Sequence, residues 1–254
     1  MKKKSMDINC DMGESYGNFK IGNDAAVFPY ITSSNIACGF HGGDPVHIRK
    51  TVSMALEYGV RIGAHPGYPD LAGFGRRDME LSETEIEAML LYQISALQGM
   101  TQSLGGSLSY VKPHGAFYNR IARDTEVAKV VFKTMDLLSP SLPLMVLAGS
   151  PAETLAREKG RPVIAEAFAD RRYEGDGQLM SRKKEGAVIH QAEQAARQVV
   201  SLALHHQLTA ANGTRLHIQA QSVCIHGDNP QAIEILQAID ERFATEGIQK
   251  GYGS

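Results

Sequence analysis

Three observations predict an α/β fold, a parallel sheet or barrel assembled from βα units. Short apolar segments alternate with longer amphipathic ones along the chain, no Gly-, Pro- or Ser-rich linker interrupts them, and glycines cluster directly after the apolar segments. A chain of 254 residues, 43% hydrophobic and 21% charged, can bury a large core, so one domain spanning 1–254 is expected. A closed barrel brings every strand end to one rim, and that is the arrangement we expect.

Taken in order, the first strand is expected near Met6–Cys10 and the second near Ser34–Cys38. A helix over Val46–Tyr58 follows, opened by Pro45 at a position where a missing N–H costs nothing. Asp44, just before it, reads equally as an N-cap and as a site residue. The third strand, near Val60–Ala64, leads to a helix over Ile86–Leu104, whose start at Ser82 and Glu85 has the spacing of a capping box. Strands near Leu108–Lys112 and Leu142–Leu147 come next, and Ser150-Pro151 then opens a helix over Ala152–Lys159. Strands near Pro162–Glu166 and Ser222–Ile225 complete seven, with Leu216–Ile218 a weaker eighth. Neither internal repeats nor low-complexity tracts are present, which excludes a solenoid.

A formal net charge of −2 leaves no basic footprint for nucleic acid. Cys10, Cys38 and Cys224 are odd in number and lack CxxC spacing, so neither a disulfide framework nor a cysteine zinc site is suggested, and a reducing cytoplasm fits. The basic start Met1-Lys2-Lys3-Lys4 has no apolar stretch behind it, which argues against a secretory leader, and no run of about 18 apolar residues exists.

The chemistry-bearing residues gather after the strands. Asp11 and Glu14 follow the first, His41 and Asp44 the second, and His65 and Asp70 the third. Lys112 and His114 follow the fourth, while Asp170, Arg171 and Arg172 follow the sixth and His226 and Asp228 the last. One histidine alone is ordinarily a hydrogen-bonded structural residue; several on one rim need a shared ligand, because each unpartnered buried polar group costs about 1–3 kcal/mol. His47, His190, His205, His206 and His217 stand apart from glycine loops and read as surface or capping residues. Arg76, Arg77, Arg171 and Arg172 are either clamps for a carboxylate or phosphate or surface ion pairs. The Gly149-Ser150-Pro151 helix start reads first as a plain capped helix and only second as an anion site. Two reaction classes suit such a rim: metal-assisted hydrolysis, and metal-free hydrolysis with an Asp or His base and Lys112 opposite the oxyanion. With no HExxH or HxxxH pair, a metal would draw its ligands from separate strands, and no GxxxxGK[ST] phosphate loop occurs.

The segments Asn9-Cys10-Asp11-Met12-Gly13-Glu14-Ser15, Ile36-Ala37-Cys38-Gly39-Phe40-His41, Gly63-Ala64-His65-Pro66-Gly67-Tyr68-Pro69-Asp70, Val111-Lys112-Pro113-His114-Gly115 and His226-Gly227-Asp228 resemble the LamB/YcsF family, in order, from Asp7 to about Ala232. Departures at Met12, Gly43 and Ser181 fall on uncharged positions. The resemblance implies a seven-stranded β/α barrel of the glycoside hydrolase/deacetylase type. It also implies the A component of an ATP-hydrolysing 5-oxoprolinase, which opens 5-oxo-L-proline to L-glutamate with two further subunits, B and C. ATP is then a cosubstrate, bound here or by a partner. By analogy with the deacetylases, Asp11, His41, His65 and His114 are candidate ligands of a divalent metal. Catalytic work is assigned to Asp11, Lys112, His114, Asp170 and His226, and substrate contacts to Glu14, His41, His65, Asp70, Arg76, Arg171 and Asp228. The alternatives are a metal-dependent deacetylase or amidohydrolase of a small N-acyl substrate, and a non-catalytic lactam-binding subunit.

Overall fold

The structure is a computed structural model that describes residues 4–252; the basic start at Met1–Lys3 lies outside them. Its strands are β1 (Ser5–Met12), β2 (Ser33–Ala37), β3 (Arg61–His65), β4 (Tyr110–Val111), β5 (Leu144–Leu147), β6 (Val163–Phe168), β7 (Gln207–Thr209), β8 (Arg215–His217), β9 (Ser222–Ile225) and β10 (Gln249–Lys250). The helices are α1 (Asp24–Val27), α2 (Pro45–Glu57), α3 (Glu83–Ser103), α4 (Gly115–Arg123), α5 (Thr125–Leu138), α6 (Pro151–Glu158), α7 (Ala192–His205) and α8 (Ala232–Glu246). None of them is long and apolar enough to cross a membrane.

Strands β1 to β6 pair in sequence order, β6 pairs with β9, and β9 returns to β1 from Asp7↔Ser222 to Cys10↔Ile225. Every pairing is parallel, so seven strands close a barrel with helices outside it. Strand β10 adds to the outside of β1, at Ser5↔Gln249. The weaker eighth candidate, Leu216–Ile218, corresponds to β8 and corrects the expectation. It forms an antiparallel hairpin with β7, away from the barrel. Only Leu216 of β8 is even half-buried, so the segment lacks the two buried faces a barrel strand needs.

The helix starts are built as their caps require. Ser82 and Glu85 form the reciprocal capping box of α3. Asp44 accepts from the amides of Val46 (2.9 Å) and His47 (3.0 Å), and also from Gly17 (3.0 Å), so it serves as the N-cap of α2. At α6, Ser150 accepts from the Glu153 amide and the Glu153 carboxylate accepts from Gly149 (2.7 Å); the helix start fills its own anion site.

What positions the site is the inside of the barrel. Along β1 the apolar Met6, Ile8, Cys10 and Met12 join the core shared with the helices. The intervening Asp7, Asn9 and Asp11 are also buried, and they bond across the lumen. Asp7 accepts from Ser33 (2.6 Å) and Thr32 (2.8 Å), and Asn9 donates to Glu166 (2.9 Å) and Ser222 (2.8 Å). Asn35 donates to Asn9 (2.7 Å) and Asp11 (2.8 Å), and accepts from the Tyr110 hydroxyl (2.7 Å). Tyr110 reaches Asn35 only because β3 carries Gly63, where a Cβ would overlap the Tyr110 ring. Gly63→Ala is therefore expected to cost about 1–3 kcal/mol by overpacking, read as a lower urea midpoint; an unchanged midpoint would mean that the ring moves aside freely.

Candidate active site

Lys112 leaves the end of β4 and is 2% exposed, with its ammonium turned into the barrel. Its Nζ lies 2.9 Å from Asp11 Oδ1, 2.9 Å from Glu166 Oε1, 3.0 Å from Cys224 Sγ and 3.3 Å from Asn9 Oδ1. Burial works against a charged lysine, but Asp11 first, and Glu166 with it, hold the group well above the usual lysine range. Asp11 is the counterpart. Burial raises its carboxyl, yet His65 and Lys112 outweigh burial and keep it well below the carboxylate range. Burial pushes the Cys224 thiol well above its ordinary value, which favours the neutral form.

Beside this pair sit three imidazoles and Glu14. His65 ends β3, His41 stands in the turn after β2, and His114 precedes α4. The His41 and His114 rings stack at 3.7 Å with planes 2° apart, and His65 meets both edge-on. Glu14 Oε1 lies 3.1 Å from His41 Nε2 and 3.4 Å from His114 Nδ1, while His65 Nε2 lies 3.4 Å from Asp11 Oδ2. The backbone assigns the tautomers: His65 Nδ1 donates to the Lys112 carbonyl (2.7 Å), and His114 Nε2 donates to the Phe74 carbonyl (2.8 Å). The remaining nitrogens, His65 Nε2 and His114 Nδ1, then face each other at 2.9 Å with two lone pairs. That contact is repulsive unless a cation lies between them, either a proton or a metal ion. Burial first, then neighbouring histidines, keep His41 and His114 well below the usual imidazole range. Burial, Asp11 and Asp228 push Glu14 well above the usual carboxylate range.

On the far side of Lys112, at the ends of β6 and β9, Asp170 accepts from His226 Nδ1 (2.9 Å) and Asn229 (3.1 Å). Burial would raise the Asp170 carboxyl, but His226 and Asn229 hold it below its ordinary value. The His226 ring stacks on Phe168 at 5.3 Å, and one of its ring nitrogens lies within 4.8 Å of Asp11 and Cys224 ligand atoms. Asp11, His41, His65, Lys112, His114, Asp170 and His226 thus make one connected set at the carboxyl ends of the strands. Glu14, Arg76 and Asp228 border it, with Arg76 Nη2 2.7 Å from Asp228. Asp70 lies apart: its carboxylate accepts from Gly73 (2.9 Å) and Arg77, and it orders its own loop. Arg171 is buried beside the set, with its Nη2 on the Met180 carbonyl. His47 lies 3.6 Å from Asp24, His205 ends α7 and His206 caps it, all outside the set.

The chain matches the LamB/YcsF family over residues 6–252. It belongs to that family. It is 49% identical over 96% of both chains to a 5-oxoprolinase A component of Agrobacterium fabrum. Among solved structures it is similar to the lactam utilization protein of Thermus thermophilus, with a TM-score of 0.92, 42% identity, and 98% of this chain and all of that one covered. It also shares its barrel with a family 4 carbohydrate esterase of Streptomyces lividans, with a TM-score of 0.52, 12% identity, and 99% and 93% coverage; that likeness concerns the fold alone. The expected deacetylase-type barrel is what the structure and these likenesses show.

Sequence reasoning about this LamB/YcsF chain passes over Glu166, Asn35, Tyr110 and Cys224, which hold Lys112 and Asp11. A signal for them exists in the polar alternation Asp7, Asn9, Asp11, which marks a strand whose inner face is polar. Glu14, expected as a substrate contact, stands among the three histidines with ligand atoms within 4.8 Å of one another; Asp11 joins that group through His65.

Removing the ammonium with Lys112→Met leaves Asp11 and Glu166 buried without a cation and is expected to destabilise the fold by about 3–5 kcal/mol at pH 7. The depressed Asp11 carboxyl contributes stability above its unfolded value near pH 4, and that contribution is lost as pH falls through the folded value. The gap between wild type and variant should therefore hold from pH 7 to about pH 4 and narrow on further acidification below it, measured by urea denaturation at each pH. A gap that is small, or constant with pH, would contradict this account of Lys112.

Proposed function

We propose that this chain is the A component of an ATP-dependent 5-oxoprolinase, opening the lactam of 5-oxo-L-proline to L-glutamate together with subunits B and C in the cytoplasm. The observation that carries the reading is the buried Lys112–Asp11–His65–His114 relay at the rim of a chain whose Agrobacterium fabrum relative is named as the A component of a 5-oxoprolinase. Lactam hydrolysis develops an oxyanion at the carbonyl and expels an amine that needs a proton. The fixed Lys112 ammonium suits the first need, and His226, oriented from Nδ1 by Asp170, suits the second through Nε2. Asp11, too acidic to be a strong base, orients Lys112 and water; His114 and its neighbours are the proton-accepting side. A five-membered lactam is a stable amide, which gives ATP a role. The lactam oxygen attacks the γ-phosphorus and ADP leaves. Water then adds to the ring carbon, the C–N bond breaks as the nitrogen takes a proton, and the acyl phosphate is hydrolysed to glutamate and phosphate. ATP itself is held by one of the partner chains in this reading.

The rim residues fit a divalent metal, because the facing lone pairs of His65 and His114 call for a cation and Glu14 adds a carboxyl oxygen within reach of both His41 and His114. Glu14, His41, His65 and His114 would hold it. The orphaned His41 Nδ1 faces Gly67, away from that centre. Bound there, a metal would polarise the lactam carbonyl or acidify a water molecule. The same four residues favour the second reading, a metal-dependent amidohydrolase that works without ATP, and turnover by the isolated chain with metal alone would select it.

The test is 5-oxoproline turnover with ATP and candidate B and C subunits. The isolated chain is expected to show little or none and the complex to be active. His114→Ala should cost about 10²-fold or more in rate with little change in stability, whereas His205→Ala should change neither. Equal turnover by the two folded variants would reduce the chain to a non-catalytic lactam-binding subunit or move the site elsewhere.

A further inference from the structure

Arg171 is 6% exposed, yet among the described residues its guanidinium has no carboxylate partner. One Nη2 hydrogen goes to the Met180 carbonyl, and its Nε, also buried, meets no acceptor. The neighbouring Asp170 carboxylate is taken up by His226 and Asn229. A buried cation ordinarily comes with a counter-charge, because transfer from water is costly without one. The backbone fixes Arg171 firmly: its carbonyl accepts from Gln198, it bridges to Val188, and the loop between folds back so that Met180 touches the guanidinium. That fold-back seats Met180 on the guanidinium and so carries the exposed Arg182, two residues further along, to the same side. From the opposite loop Arg76, with its Cζ 4.9 Å over the Phe74 ring, reaches Asp228, two residues after His226. Its partner Asp228 is partly exposed and can be exchanged for a ligand anion.

We propose that Arg171, Arg182 and Arg76 form an oxyanion-binding subsite beside His226, which receives a phosphoryl or carboxylate group of the substrate while the reacting carbon lies over Lys112. The chemistry is that of guanidinium forks on a planar or tetrahedral anion, and the buried Nε of Arg171 supplies a donor already desolvated for it. Identifying that anion as part of a lactam substrate rests on the proposed 5-oxoprolinase reading; the subsite itself does not. A phosphoryl group carries about −1.5 to −2 charges, which matches a cluster with more cations than free carboxylates.

The experiment is calorimetric titration of the full chain with inorganic phosphate, 5-oxo-L-proline and 2-pyrrolidinone, the lactam without a carboxylate. Wild type is compared with Arg182→Gln, whose side chain is exposed so that the fold is kept, and with Arg171→Gln. Loss of one charge-assisted contact is expected to weaken the bound anion by about tenfold or more. Phosphate weakened in both variants, with 5-oxoproline unchanged, assigns the subsite to the phosphoryl group. Weakened 5-oxoproline, with 2-pyrrolidinone indifferent, assigns it to the carboxylate. Binding of neither anion to wild type, or unchanged binding in both folded variants, overturns the proposal. Arginine-dependent phosphate binding by a chain whose complex does not turn over 5-oxoproline would leave the subsite standing and remove the lactam reading.

Discussion

A single ammonium organises the inside of this barrel. Lys112 is buried between Asp11 and Glu166, each 2.9 Å away, and such a charge survives folding only when its desolvation is offset by closely placed anions and by hydrogen bonds for their remaining oxygens. The rest of the lumen follows from that requirement. Asn35 donates to Asp11, Asn9 donates to Glu166, and Asp7 is closed off lower down by Ser33, Thr32 and Ser222. A barrel whose inner face is polar must find its apolar core elsewhere. It does so between strands and helices, which is why Ile8 and Cys10 face outward from a strand that carries Asp7, Asn9 and Asp11 on its other side.

This arrangement explains how far the sequence could be read. The apolar outer faces of the strands and the capped helix starts are local signals, and seven strands are legible from them. The hairpin of β7 and β8 is not, because a three-residue strand with one half-buried position has no periodicity to detect. The rim residues are legible as a set because they follow strands. Their individual roles are not. Asp70 and Glu14 look alike in sequence, but Asp70 is occupied by Arg77 seven residues on, whereas the partners of Glu14 come from two other strand ends. Glu166 sits inside a segment that reads only as strand, and its importance arises from Lys112, 54 positions earlier in the chain, which no window of sequence contains.

The rim has two chemically different halves joined by Asp11 and Lys112. On the side of β1 to β4, three imidazoles and a carboxyl group converge, an environment suited to holding a cation. On the side of β6 and β9, the His226–Asp170 pair is followed outward by arginines, an environment suited to an anion. A substrate with a polarisable carbonyl and an anionic group is accommodated by such an asymmetric rim in one orientation, because reversing it would take its anion away from the arginines.

The loop that covers the imidazoles shows how the halves are kept in register. Phe74 has a φ of 55°, a left-handed conformation unfavourable for a bulky side chain, and it is the only described non-glycine residue besides the helix-capping His206 with a positive φ. The conformation turns the Phe74 carbonyl towards His114 Nε2, which commits that proton and leaves Nδ1 aimed at His65 and Glu14. Its ring meets His41 and His114 edge-on, and the next residue but one, Arg76, spans to Asp228 on the opposite loop. Asp70 enforces the shape from within by gathering Gly73 and Arg77. Backbone strain at Phe74 is thus coupled to the tautomer of His114, and any movement that releases Arg76 from Asp228 acts on the same loop that fixes which imidazole nitrogen faces the centre.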